Sequence, residues 1–153
     1  MKRNSAILAF LLPVLLLPVP AVAQQEQASE WTVVTLARDG SWGKGTSEFY
    51  GPALAAALRK CEAMSGGQSD CGAEVTAVKS GWTFGILCGD HRILVAATDL
   101  PTAIMDAQAR EIYLRGLYGN SMPYCSCVVW VDPQGFAEAS GKPWRNAQTK
   151  PGK

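Results

Sequence analysis

Residues 52–78, PALAAALRKCEAMSGGQSDCGAEVTAV, decide the fold. They contain a predicted helix and a predicted strand, joined by a loop with a cysteine at each end. Pro52 suits the first turn of a helix, and apolar residues then recur at helical spacing as far as Cys61. A Gly-Gly pair ends the helix. Cys71 opens a segment in which small apolar residues alternate with others, as in a strand. The stretch therefore predicts a helix–loop–strand unit.

A hairpin precedes this unit, and the same order of elements then starts again. Residues 31–49 form two short segments around a turn, and Trp82-Thr83 repeats Trp31-Thr32. The second set consists of a hairpin at 84–97, a helix at 99–118 and a strand at 125–131. We therefore predict an α+β fold of two ββαβ repeats about a pseudo-twofold axis, with an antiparallel sheet of about six strands and two helices.

Targeting and tail signals lie at the two ends of the chain. Residues 1–23 have the basic start, the apolar stretch and, at 21–23, the small-x-small site of a cleaved signal peptide. A membrane anchor is the alternative, but prolines interrupt the stretch and it is shorter than the roughly 20 residues of a spanning helix. We predict one α+β domain at 24–136, no membrane span after cleavage, and a disordered polar tail at 137–153.

Charge and cysteine content point to an exported protein without a nucleic-acid partner. Of the 14 basic residues, two lie in the leader, so 12 oppose the 13 acidic ones and create no strong field toward nucleic acid or an anionic membrane. All 5 cysteines follow the leader, as expected for an oxidising compartment. We predict a periplasmic or secreted location.

The cysteine spacing carries a family resemblance. The pattern is Ala53-x3-Ala57-Leu58-x2-Cys61, a Gly-rich loop, Cys71, and a Cys in the hairpin after Gly81-Trp82. Over about residues 31–131 the chain resembles a family of small exported bacterial domains that carry only a domain-of-unknown-function label. The resemblance implies export, a disulfide-stapled α+β fold and no established activity. The chain departs from the family near Glu111, where the counterpart of Cys61 is not a Cys.

The cysteines suggest two disulfides and one free thiol. A Gly-rich loop joins Cys61 to Cys71 and is short enough to bring the Cα atoms within the roughly 4.4–6.8 Å of a disulfide. Cys88 and Cys127 hold positions that two alanines occupy in the first repeat, so we predict that they bond, with Cys88–Cys125 as the alternative. Cys125 is then the candidate free thiol, because five cysteines leave at least one unpaired within the chain.

Signatures of catalysis and of cofactor binding are missing. A single histidine excludes sites of several imidazoles, and His91 lies in a Gly-Asp-His-Arg turn without a nucleophile motif nearby. The segment Gly43-Lys44-Gly45 lacks the helix that a phosphate loop needs. We predict no catalytic residue, no cofactor and no metal.

Aromatic residues supply the remaining functional signal. Trp42 lies in the first hairpin and Tyr50 follows it, and exposed Trp and Tyr side chains are common binding anchors. We predict a non-enzymatic binding module that contacts an envelope or extracellular protein or glycan through Trp42 and Tyr50. The alternative is a thiol redox or copper-binding protein that uses Cys125 and Cys127, two residues apart.

Overall fold

The computed structural model describes residues 30–67 and 70–144, so the predicted leader at 1–23 lies outside the described residues. Over the described part, two helices and seven strands follow one another, and a short 3-10 turn at Gly119–Ser121 follows the second helix. The elements are β1 (Trp31–Leu36), β2 (Trp42–Ser47), α1 (Tyr50–Ser65), β3 (Val75–Lys79), β4 (Trp82–Cys88), β5 (His91–Ala97), α2 (Leu100–Tyr118), β6 (Ser126–Val131) and β7 (Ala137–Pro143).

The strands form two antiparallel sheets, in the orders β2-β1-β3 and β5-β4-β6-β7. The α+β class is confirmed, but the predicted single sheet of about six strands is wrong. The physical reason is that β1 is apolar on both faces. Val33 packs with α1, whereas Val34 and Leu36 pack with residues of the second sheet. A strand buried on both faces needs a layer on each side.

The layers run α1, first sheet, second sheet, α2. Between the sheets lies a cluster of five buried aliphatic residues: Val34, Leu36, Leu94, Val129 and Val131. Each such side chain stabilises the fold by about 1.5–3 kcal/mol when it is fully buried. A larger cluster, which includes Phe84 and Ile86, fills the space between the second sheet and α2.

Helix α1 packs directly on the backbone of β2. A Cβ atom on Gly43 would overlap the Ala57 carbonyl, and one on Gly45 would overlap the Ala53 carbonyl. Both alanines are fully buried, so small residues face each other across this contact. The helix ends at Gly66, whose φ of 67° is left-handed and suits glycine.

Helix α2 begins at a side-chain cap and packs with small residues. The Asp99 carboxylate accepts a hydrogen bond of 2.9 Å from the Thr102 backbone N–H, which satisfies a donor at the helix start. Ala103 and Ala107 are fully buried against the second sheet. Within residues 30–67 and 70–144, neither helix combines the length and apolar character needed to cross a membrane.

The predicted tail begins too early. Residues 137–143 form β7 along β6, and Trp144 is 1% exposed with its ring 5.2 Å from that of Phe84. The backbone N–H of Trp144 also donates a hydrogen bond of 2.9 Å to the Cys125 carbonyl. The expected disorder is therefore wrong for 137–144, because backbone pairing and one buried indole hold a polar segment in place. Residues 145–153 lie outside the described part.

Candidate functional site

The bond between Cys61 and Cys71 is confirmed. Their Cα atoms are 5.9 Å apart, and Cys61 is fully buried on the inner face of α1. In the chain-entropy estimate, a loop of this size contributes about 3 kcal/mol to stability. The bond ties α1 to the segment that leads into β3, so its role is structural.

The second disulfide joins Cys88 to Cys125, with Cα atoms 4.1 Å apart, so the alternative pairing is correct. The predicted Cys88–Cys127 bond and the predicted free thiol at Cys125 are wrong. Strand register explains the difference. Leu87 lies opposite Ser126, which places Cys88 opposite Cys125, whereas Cys127 lies opposite Ile86.

Cys127 is the free thiol among the described cysteines, and it is fully buried. Burial, together with the smaller effect of the Glu138 charge, raises the pKa of Cys127 to about 12. Its Sγ atom lies 3.6 Å from the Val129 carbonyl oxygen. A buried, protonated thiol is a poor nucleophile and a poor metal ligand. In the described residues, no group of three or more His, Cys, Asp or Glu side chains is placed to hold a metal ion.

Two residues considered in the sequence have packing roles. The ring of His91 stacks on Tyr118 with centroids 4.1 Å apart. The Lys44 ammonium donates to the Gly135 carbonyl, which links β2 to the turn before β7. Burial lowers the pKa of Lys44, and the nearby charge of Lys60 contributes a smaller effect in the same direction. Neither side chain has the surroundings of a catalytic or phosphate-binding group.

Of the two predicted binding residues, only Tyr50 is exposed. Trp42 is half-buried and packs against the cluster between the sheets. It pairs with Leu36 in the β1–β2 register, and its backbone N–H donates to the Met64 Sδ at 3.4 Å. Trp42 therefore contributes to the core, while Tyr50 is 43% exposed at the start of α1.

Tyr50 belongs to a group that we call the aromatic patch, defined as Trp31, Phe49, Tyr50 and Lys79. Phe49 is 69% exposed, and the Tyr50 ring meets Trp31 edge to face at 5.8 Å. The Lys79 ammonium lies 5.2 Å from the centroid of the Trp31 ring, within cation–π range. The half-buried Trp31 supports the ring of Tyr50, and the exposed Phe49 directly precedes Tyr50 in the chain.

Strand register and the helix start together position the aromatic patch. Trp31 is the first residue of β1 and pairs with the last residue of β2, Ser47, and the last of β3, Lys79. The chain leaves β2 at Ser47 and enters α1 at Tyr50, with the Phe49 N–H bonded to Ser47 Oγ at 3.2 Å. Three strand ends and one helix start therefore meet at the patch.

Sequence reasoning missed Phe49 and Lys79. It placed Phe49 in a strand, but β2 stops at Ser47 and Phe49 is the extended residue before α1. Lys79 could have been found from the antiparallel pairing of β1 with β3. That pairing brings the end of β3 beside the start of β1. Once the pairing of β1 with β3 is known, the contact follows.

A second aromatic cluster lies at the start of β4. The rings of Trp82 and Trp130 stack with centroids 6.0 Å apart, and Phe136 lies 6.3 Å from Trp130. Phe136 is 61% exposed, whereas both tryptophans are half-buried against the α2 side of the second sheet. This cluster presents one open ring, while the aromatic patch presents two.

An open depression of about 520 Å³ lies beyond the end of α2, lined by Arg115 and residues 119–124. Arg115 donates from Nε to Glu111 Oε1 at 2.8 Å, and its Nη2 lies 3.8 Å from Cys125 Sγ. The charged group of the lining is therefore already paired. The aromatic patch offers the more distinctive binding chemistry.

Comparison of the chain with protein families, with curated proteins and with solved structures finds no match.

Proposed function

We propose that the chain is a non-enzymatic binding domain that contacts an envelope or extracellular partner through the aromatic patch. The observation that carries this proposal is the edge-to-face contact of Tyr50 with the supporting ring of Trp31, next to the exposed side chain of Phe49. Rigid aromatic side chains lose little conformational entropy on binding and provide large contact areas. Of the two binding residues predicted from the sequence, Tyr50 remains a proposed contact. The exposed Phe49 takes the place of Trp42, which is half-buried.

Export is part of the same proposal. Two disulfides support it, since such bonds persist in oxidising compartments and are rare in the cytosol. The resemblance to exported domains of unknown function points the same way and stays a prediction. The partner is therefore sought in the periplasm or outside the cell.

We also propose that the two ββαβ halves are repeats related by a pseudo-twofold axis. In support, β1 and β4 each pair with both the strand that follows directly and the strand after the helix. Each of these central strands begins with a tryptophan whose ring contacts another aromatic ring, Tyr50 for Trp31 and Trp130 for Trp82. Trp31 and Trp82 then occupy equivalent places in the two halves.

The alternative of thiol redox or copper chemistry at Cys125 and Cys127 requires two rearrangements. The Cys88–Cys125 bond would have to be reduced, and the buried Cys127 would have to become accessible. Alkylation of the folded chain distinguishes the two functions. Under the binding proposal, no thiol is labelled until denaturant is added.

Photo-crosslinking in the producing cells tests the binding proposal. A photoreactive phenylalanine analogue replaces Phe49 in one variant and the exposed Ala63 on α1 in a matched control. We expect a discrete adduct from position 49 that weakens when Tyr50→Ala is added, while thermal unfolding shows that the variant is still folded. Digestion with protease or glycosidase then identifies a protein or a glycan. Identical adducts from both positions would refute the proposal.

A further inference from the structure

Helix α2 carries apolar residues on its outer face as well as on its inner one. Its outer face exposes four large side chains by more than half: Met105 (66%), Ile112 (71%), Tyr113 (67%) and Leu117 (59%). The inner face is already packed on the second sheet through Ala103 and Ala107. Several large apolar side chains exposed together on a surface helix mark a site of contact with another molecule. The outer face of α2 therefore lacks a partner in the single chain.

One line of this face has coiled-coil spacing. Met105, Ala109, Ile112 and Gly116 are separated by four, three and four residues, which places them in one seam along the helix. The seam carries no charge, and large residues alternate with small ones along it. We call these four residues the α2 seam.

Gly116 has no role within the single chain that requires glycine. It lies inside α2, and a Cβ atom added there would meet no atom within 4 Å. Glycine at an interior helix position costs about 0.5–1 kcal/mol relative to alanine. The residue is explained if another helix approaches closely at this point.

We propose that the α2 seam is the interface of a homodimer in which two α2 helices pack antiparallel across a twofold axis. In this arrangement Met105 of one copy lies opposite Gly116 of the other, and Ala109 lies opposite Ile112. Every large residue then meets a small one. A parallel pair would place Met105 on Met105 and Gly116 on Gly116, which combines overlap with an empty space. The alternation along the seam therefore selects a second copy of this chain in one orientation.

Area and electrostatics fit a modest dimer. With about 200 Å² for a large side chain, the exposed parts of Met105 and Ile112 in the seam and of Tyr113 beside it offer about 400 Å² per copy and about 800 Å² for the pair. This is smaller than a standard interface, so we expect a weak dimer with a dissociation constant in the high micromolar range. Antiparallel packing also aligns the two helix dipoles favourably. Helix α1 and the aromatic patch remain free on the opposite layer.

Analytical ultracentrifugation over a concentration series tests the dimer. The protein is produced with its own N-terminal segment, so that processing occurs as in the host. We expect wild type to pass from monomer to dimer, and Gly116→Met to raise the dissociation constant at least about tenfold by overlap with Met105 of the second copy. Because methionine favours helix over glycine, the variant should unfold no earlier than wild type. Ala63→Met, on the exposed surface of α1, should change neither property.

A compensating substitution tests the orientation. Met105→Ala together with Gly116→Met exchanges the large and small positions and should return the dissociation constant to within about threefold of wild type. A parallel pair would not be rescued, because each residue would still face its own copy. The proposal is overturned if wild type stays monomeric at all concentrations, if the double variant remains as weak as Gly116→Met, or if the seam binds a different protein while the chain stays monomeric.

Discussion

Substitution of Gly43 by alanine should strongly destabilise the fold, because this glycine lets α1 rest on the backbone of β2. An added Cβ atom would overlap the Ala57 carbonyl and lie 2.6 Å from the Cys61 backbone nitrogen. Ordinary contact needs about 3.4 Å or more, so the helix must move by roughly 1.5 Å to clear the Ala57 carbonyl. No rotamer change relieves the contact, since the opposing atoms are backbone.

The magnitude follows from overpacking. Inserting a methyl group into a close-packed site costs about 1–3 kcal/mol, and a backbone contact places Gly43→Ala at the upper end. For a domain of this size, about 3 kcal/mol lowers the thermal midpoint by roughly 10 °C. The Cys61–Cys71 bond anchors the same part of α1 and restricts its movement away from β2.

Calorimetry of Gly43→Ala beside Gly51→Ala measures this effect. Gly51 lies in the first turn of α1, and a Cβ atom there would meet no atom within 4 Å. We expect Gly51→Ala to be neutral or slightly stabilising. Equal midpoints for the two variants would refute the reasoning that α1 contacts β2 through backbone at Gly43.

Three further predictions concern the second sheet and its cysteines. Trp144→Ala should lower the free energy of unfolding by about 3–5 kcal/mol in urea denaturation, and Trp144→Phe by clearly less, because the indole is fully buried. Replacing both Cys88 and Cys125 with alanine should cost about 4 kcal/mol, since their bond closes the longer loop. Folding raises the pKa of the Cys127 thiol from 9.0 to about 12. Above pH 9 the thiol ionises in the unfolded chain but stays protonated in the folded one, so the free energy of unfolding falls as pH rises from 9 toward 12. Wild type should therefore lose roughly 1 kcal/mol more than Cys127→Ala between pH 9 and pH 10, measured by chemical denaturation.

Much of the fold could be predicted because helix and hairpin signals are local. The predicted end of the second helix at Tyr118 agrees with α2, and the Cys61–Cys71 bond follows from a short loop. The stacking of two sheets was not predicted, although the strand sequences indicate it. Runs such as residues 31–36 and 126–131 are apolar on both faces, which is typical of strands covered on two sides.

Other features depended on register or on isolated residues. Which cysteine pairs with Cys88 is decided by the alignment of β4 with β6, and a bulge between Gly85 and Ile86 shifts that alignment. Strand β7 consists mainly of small and polar residues, so its sequence does not indicate a strand. The only strong sign that this segment is ordered is Trp144, which follows it. The aromatic patch required the β1–β3 pairing before Lys79 could be placed. These features are nonlocal, and a single sequence does not display them.

The alignment of β4 with β6 also creates a hazard during oxidation of the newly made chain. A slip by two residues would keep every side chain on its own face and would bring Cys127 opposite Cys88. The two competing loops differ by only two residues, so their closure entropies are almost equal and the unfolded chain scarcely discriminates between them. Correct maturation then depends on reshuffling by thiol exchange until Cys127 is sealed inside the core. An oxidoreductase that isomerises disulfides should therefore raise the yield of native protein, and Cys127→Ala should remove that dependence.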